Sequence, residues 1–250
     1  EMLGQLGFPE DSEELAPRDR YDTEIAFVDA AIGRLLDGVA EESPSDETLV
    51  VFTADHGESL GEHEYWGHGR NLYEEGLRVP LGIVWPGTIP GGVVVEEPAT
   101  LLDVAPTILG LLDHPVPEVF HGADWRDVLR NGRTGPGDRT ILLQAHKGAV
   151  QPVEDPAEAR RRGLLEVGIL EDGRKEILDV ESGERRLFDL DRDPNEQENL
   201  AESGTEAGVS PPLQAWRKAV DSGLEAADRL PTPELDAEAE EHLRALGYID

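Results

Sequence analysis

The stretch Thr48-Leu49-Val50-Val51-Phe52-Thr53-Ala54-Asp55-His56-Gly57-Glu58-Ser59-Leu60-Gly61-Glu62-His63-Glu64-Tyr65-Trp66-Gly67-His68-Gly69 changes character once, at Thr53. Before that point the run is apolar, β-branched and aromatic, without alternation. Such a run predicts a strand covered on both faces, as in a parallel or mixed sheet flanked by helices. After it comes a polar, glycine-rich loop, and three of the seven histidines fall between Thr53 and Gly69. In α/β sheets the carboxyl ends of strands rim the ligand crevice, so this loop is the candidate site.

Working outward, Ile25, Val28, Ile32, Leu35 or Leu36 and Val39 recur at steps of three and four, which places them on one face of a helix from Arg20 to about Glu41. Ser43-Pro44-Ser45-Asp46 ends it. A short helical stretch at Leu72–Leu77 precedes a second apolar run, Val79 to Trp85, that stops at Pro86-Gly87. Thr100 to Leu112 reads as another helix with a boundary or kink at Pro106. This alternation of helix and buried strand is α/β patterning.

Past Pro115 the pattern shortens. Ile141–Ala145, Leu164–Leu170, Glu176–Val180 and Arg185–Leu190 are strand candidates separated by Gly, Asp and charged turns, which points to a small antiparallel unit. Amphipathic acidic segments at about 211–228 and 233–246 close the chain, and 151–162 and 201–212 read as loops. The organisation expected is therefore 1–137 as part of an α/β domain and 138–250 as a small antiparallel subdomain with acidic helices.

Composition excludes several functions. The 54 acidic against 22 basic residues give a formal net charge of −32 over 250 residues, the opposite of a nucleic-acid footprint. No apolar stretch approaches the roughly 18 residues of a membrane span. The 38% apolar content argues against disorder. Only Lys147, Lys175 and Lys218 are lysines among the basic residues, and there is no cysteine. Acidic, Lys-poor composition points to a salt-adapted source, because about 1 M salt screens self-repulsion to within roughly 3 Å. The chain opens Glu1-Met2-Leu3 and carries no signal or membrane segment. It reads as the remainder of a longer polypeptide, with a cytoplasmic setting favoured.

Four readings compete for the loop. A zinc-protease His-Glu-x-x-His needs histidines at i and i+4 of one helix face, whereas His63-Glu64 is followed by His68 at i+5, between glycines. Gly57-Glu58-Ser59-Leu60-Gly61 has the nucleophile-elbow pattern and follows a strand, with Asp103 and His121 or His146 available in order as triad partners; the elbow requires a helix to begin at the serine, and glycines interrupt one here. Asp55 and His56 are adjacent donors that can hold a divalent cation at a strand end if further oxygen ligands arrive. The plain structural reading makes Asp55 a turn cap and the histidines solvated loop residues.

The wider pattern resembles the sulfatase family of the alkaline-phosphatase superfamily. The blocks are Thr48 to His63, Trp66-Gly67-His68-Gly69, Leu72-Tyr73-Glu74-Glu75, Arg78-Val79-Pro80-Leu81, Trp85-Pro86-Gly87, Leu102 to Leu109, Leu187 to Leu200 and Leu243 to Tyr248. The resemblance implies an alkaline-phosphatase-like helix-flanked sheet, incomplete at its N-terminal side. It also implies metal-dependent hydrolysis of sulfuric esters, of small molecules or glycans. Asp55 and His56 fall on two of the family's metal ligands, the metal being of calcium type. His68 stands at the catalytic basic position where many relatives carry Lys, and its charge, unlike lysine's, depends on pH near neutrality.

The family's formylglycine nucleophile, made from Cys or Ser in a Cys/Ser-x-Pro/Ala-x-Arg block, has no counterpart here. Ser43-Pro44-Ser45-Asp46 lacks the pattern, so the nucleophile and a pair of aspartate ligands are expected in an N-terminal half. Alone, these residues are expected to bind metal weakly and turn over little. Alternatives are a phosphodiesterase or phosphonate monoester hydrolase of the same superfamily, and a non-catalytic, anion-binding or structural fragment. Asp189-x-Asp191-x-Asp193 resembles the start of a calcium loop, but Pro194 and Leu200 occupy the required Gly and Glu positions. Arg160-Arg161-Arg162 reads as a solvated charge run, and Tyr73, Trp66 and Trp85 as packing around the sheet.

Overall fold

The computed structural model describes residues 16–132, 135, 137, 139–146, 163–201 and 208–227. By contacts the chain divides into two units, Glu1–Gly67 with Val79–Gly137 and His68–Arg78 with Asp138–Asp250. The contact division thus differs from the linear one at 137/138 over residues 68–78. Segments 151–162 and 233–246, including Arg160–Arg162, lie outside the described residues.

In the first unit, Pro17 opens helix α1, Pro17–Glu42, where its missing N–H costs nothing and Asp19 faces the positive end of the helix. Ser43 is extended ahead of Pro44, as a residue before proline prefers. Strand β1, Val50–Thr53, follows and pairs antiparallel with β4, Leu81–Val84, in the register Val50↔Val84 to Thr53↔Leu81. In sequence between them come the small hairpin of β2, Ser59–Leu60, and β3, Trp66–Gly67, and then the short helix α2, Glu74–Leu77, which belongs to the second unit. The Trp85 indole donates to the Asp46 carbonyl at 2.8 Å and ties the end of β4 to the turn before β1.

One expectation is corrected here. β1 was expected to be covered on both faces, as in a parallel or mixed sheet; its one partner among the described residues, β4, is antiparallel, as a mixed sheet allows, but the faces of the pair are open. Phe52 is 48% and Val84 56% exposed, because a two-stranded ribbon leaves its faces to solvent. The apolar stripe of α1 is exposed as well, at Ile25, Val28, Leu35 and Leu36.

Thr100 to Leu112 forms a 3-10 turn, Leu101–Asp103, that runs into α3, Val104–Leu111. Pro106 sits in the first turn of α3. It has no N–H for the carbonyl of Leu102, which is why the tighter turn, not more α-helix, precedes it. The Asp103 carboxylate is buried and fully used, accepting from Thr100 N at 2.7 Å and Ala123 N at 2.7 Å. A Cβ at Gly122 would lie 1.9 Å from the Leu102 carbonyl oxygen, so this close approach admits only glycine. Helix α4, Arg126–Asn131, follows. Its Arg126 and Arg130 reach back to the carbonyls of Gly110 and Leu111, satisfying the open end of α3.

The second unit is built on a four-stranded antiparallel meander: β5, Ile141–His146; β6, Leu164–Glu171; β7, Arg174–Asp179; and β8, Arg185–Asp189. Asp172-Gly173, with φ of 49° and 70°, makes the tight two-residue turn whose twist matches its flanking strands. One face of the sheet packs Val167, Ile169 and Leu178 against Leu213 and Val220 of α5, Pro211–Ala227. The other packs Ile177 and Phe188 against Leu72, with Tyr73 and Leu77 alongside. The sheet is therefore covered by α5 on one side and by the His68–Arg78 segment on the other. No helix among the described residues is long and apolar enough to cross a membrane.

Candidate functional site

β1 ends at Thr53 and the chain turns at once into Asp55 and His56, both exposed. The Asp55 carboxylate oxygen Oδ1 accepts the His56 backbone N–H at 3.1 Å. The His56 ring turns Nδ1 toward the Gly57 carbonyl at 2.8 Å. That contact makes Nδ1 the protonated nitrogen in the neutral ring and places the lone pair on Nε2, the arrangement found in metal-ligating histidines. Nε2 lies 3.8 Å from Asp55 Oδ1. Metal–oxygen distances are about 2.3–2.6 Å for calcium, so one ion can reach both atoms. The donor set of carboxylate and imidazole therefore fits a divalent cation. Glu58, which the sequence reading did not nominate, offers a carboxylate oxygen within 4.8 Å of a His56 ring nitrogen. Its signal was its place two residues past His56 in the same turn.

The β2–β3 hairpin holds the loop in shape. Gly61 N bonds the Tyr65 carbonyl at 3.0 Å, and His63 and Glu64 take left-handed backbone conformations at φ of 48° and 57°. Glu62 accepts the Leu60 N–H at 2.6 Å and pairs with Arg18 at 2.6 Å. Its own backbone amide, with Leu60 N and Arg18, holds the carboxyl below its ordinary range against the opposing effect of burial. Glu62 is thus a structural cap of the hairpin. His68 follows the hairpin directly and is exposed. It is the first residue of the second unit, so the structure joins Asp55 to His56 in one turn and assigns His68 to the segment held by the four-stranded sheet.

The competing chemistries separate on this geometry. His63 lies in a left-handed kink of a three-residue turn, Glu62–Glu64, so no helical face carries a His-Glu-x-x-His pair. Ser59 is a buried residue of β2, paired with Gly67, and no helix begins there, which removes the nucleophile elbow. Asp103, its nominated acid, has both oxygens committed to backbone amides. The Asp189–Asp193 run is a turn in which Asp193 accepts the Glu198 N–H and Asn199 bridges Leu187 N and Ala201 N. A concavity of about 580 Å³ lined by Val93–Glu97, Val128 and Gly132 contains no histidine and lies apart from the loop's donors in sequence and chemistry.

The fold is α/β and resembles that of the alkaline-phosphatase-like sulfatases and their relatives. Residues 5–114 match the family model described as Sulfatase, and that match with the similarities below supports the sulfatase family for this chain. The chain is 32% identical over 188 residues to the choline-sulfatase of Rhizobium meliloti, covering 74% of this chain and 33% of that protein. The structure of BT4656 in complex with its substrate D-glucosamine-2-N,6-O-disulfate superposes with a TM-score of 0.60 at 28% identity, over 81% of this chain and 39% of that one. The phosphonate monoester hydrolase of Silicibacter pomeroyi gives a TM-score of 0.64 at 25% identity, over 93% and 47%. The chain spans about a third to a half of the length of these relatives.

Proposed function

We propose that this chain is the C-terminal part of a metal-dependent sulfuric ester hydrolase, in which Asp55 and His56 ligate Ca²⁺ and His68 serves as the basic catalytic residue. The observation that carries the reading is the Asp55–His56 turn, with Nδ1 committed to Gly57 and Nε2 3.8 Å from the Asp55 carboxylate. The family match supports the chemistry. When bound, the ion supplies positive charge for the sulfate oxygens and the nucleophile. His68 donates a hydrogen bond or a proton to the ester oxygen as the leaving group departs. A formylglycine nucleophile and further carboxylate ligands come from an N-terminal part of the polypeptide. The exposed apolar stripe of α1 and the open faces of β1 and β4 fit with cover from such a part.

The net charge of −32 repels a sulfate ester, so the ion and His68 supply the local attraction that the surface lacks. A salt-adapted source accounts for that surface. The substrate class is a sulfated small molecule or glycan, as the disulfated glucosamine bound by BT4656 suggests by analogy. Calcium titration of the full-length protein tests the ligand assignment: Asp55→Ala should weaken binding by about 100-fold, and unchanged affinity sinks it. The likeness to a phosphonate monoester hydrolase over 93% of the chain favours a second reading, hydrolysis of phosphorus esters at the same residues. Turnover of an aryl sulfate against an aryl phosphodiester by the full-length protein separates the two.

A further inference from the structure

Three consecutive residues of the His68–Arg78 segment are fastened to the four-stranded sheet by buried charge. Leu72 N donates to Glu166 Oε2 at 2.9 Å, and the other oxygen of Glu166 takes Arg186 Nη2 at 2.5 Å. The Arg186 guanidinium also lies over the Tyr73 ring, 5.1 Å from its centroid. Glu74 N donates to Glu196 Oε2 at 2.6 Å. Lys175 is fully buried, and its ammonium bridges Glu74 Oε1 at 2.9 Å and Glu196 Oε1 at 2.6 Å.

An apolar contact would hold this segment more simply, because burying charge carries a large desolvation penalty that pairing only offsets. What ion pairs and backbone hydrogen bonds add is direction. Leu72 alone, packed on Ile177 and Phe188, fixes the segment to the sheet. Two carboxylates that accept the N–H groups of residues 72 and 74 fix its rotation and its position along the strands. Four residues upstream of this clamp, on the same segment, is His68.

We infer that Glu166, Lys175, Arg186 and Glu196 are positioning residues, and that the four-stranded sheet serves the reaction by holding the arm that presents His68. The inference rests on the catalytic role of His68 proposed above. A small error in the placement of a reacting group costs far more in turnover than in substrate binding. The clamp should therefore act on kcat.

Glu74→Ala removes the arm's own carboxylate and leaves Lys175 paired with Glu196, so the sheet keeps its buried ion pair. Hydrogen exchange should accelerate about tenfold for amides of residues 68–78 and stay unchanged for β6 and β7. In the full-length protein, kcat for an aryl sulfate should fall about tenfold with KM within about twofold. Glu74→Gln, which keeps an acceptor for Lys175, should restore most of both. Glu166→Ala should release the Leu72 amide with the same kinetic signature, and Glu166→Gln should rescue it.

Unchanged exchange in the arm overturns the clamp. Faster exchange with unchanged kcat overturns its link to the reaction. A wild-type full-length protein that hydrolyses no sulfate ester overturns the function proposed above instead. The placement of His68 is then read from its ¹⁵N-labelled ring resonances, expected single in the wild type and exchange-broadened in Glu74→Ala. Identical ring spectra overturn the inference.

Discussion

The two units handle apolar and charged surface in opposite ways. Seventeen of the nineteen large hydrophobic residues that stay exposed among the described residues belong to the first unit, while eleven of the fourteen buried ones belong to the second. The second unit closes its sheet on both faces and then buries Lys175, Glu166, Glu176 and Glu196 inside it. The first exposes a helix stripe and a strand ribbon, and its site donors Asp55 and His56 sit on the surface. Self-sufficient packing marks the part that holds the arm, and open packing marks the part that carries the proposed ligands Asp55 and His56.

The sharpest way to break this comparison is to remove the cation at the centre of the second unit. Lys175→Ala leaves Glu74 and Glu196 facing each other without their partner, and Glu196 already has its carboxyl pushed up by burial, with Lys175 pulling the other way. Removing one member of a buried pair costs about 3–5 kcal/mol, read as a lower urea midpoint. A loss under about 1 kcal/mol would mean that the pair is solvated and that the contrast between the units fails. Ile177→Ala comes next. Ile177 is 0% exposed, and such truncations cost about 2–5 kcal/mol, with the value set by how far the site collapses.

Legibility in the sequence followed the same divide. The four strands of the second unit were readable because each is a short β-rich run ended by turn residues, and Asp172-Gly173 marks the tightest turn. The helix of α1 was readable from its period, but the fate of its apolar stripe was not. Periodicity reports which face is apolar, and burial depends on what covers that face. β1 failed for the same reason: an unalternated run encodes a demand for cover that β4 alone does not meet. In the candidate site, Asp55 and His56 are legible as candidates because adjacent donors follow a strand. The clamp was invisible because Glu74, Glu166, Lys175, Arg186 and Glu196 are scattered over more than a hundred positions, and isolated Glu and Lys in a highly acidic chain read as surface.

Acid should weaken the second unit through two groups of its own, by a smaller margin. Burial pushes the Asp179 carboxyl up, but hydrogen bonds from Ser182 N, Ser182 Oγ and Glu181 N outweigh it and hold the group below its ordinary range. A carboxyl depressed by folding contributes stability above its unfolded value near pH 4, and loses it as pH falls through the lower folded value. His146, whose burial favours the neutral ring, adds a loss of the same sign that begins higher, as pH drops below about 6.5. Asp179→Asn should cost about 1 kcal/mol at neutral pH and flatten the acid limb of the stability curve. An unchanged limb would remove Asp179 from the account.

The smallest effects should come from the exposed stripe of the first unit, and there a null result is the informative one. Ile25 and Leu35 are 52% and 65% exposed, so Ile25→Ala or Leu35→Ala should change the stability of this 250-residue chain by no more than about 0.5 kcal/mol. If the proposed N-terminal complement covers the stripe, each change becomes in the full-length protein a core truncation worth about 2–5 kcal/mol. The difference between the two backgrounds measures how much of the first unit's packing lies in another part of the polypeptide. Equal, near-zero effects in both would make the stripe an ordinary solvent face and withdraw its support for the proposed N-terminal complement.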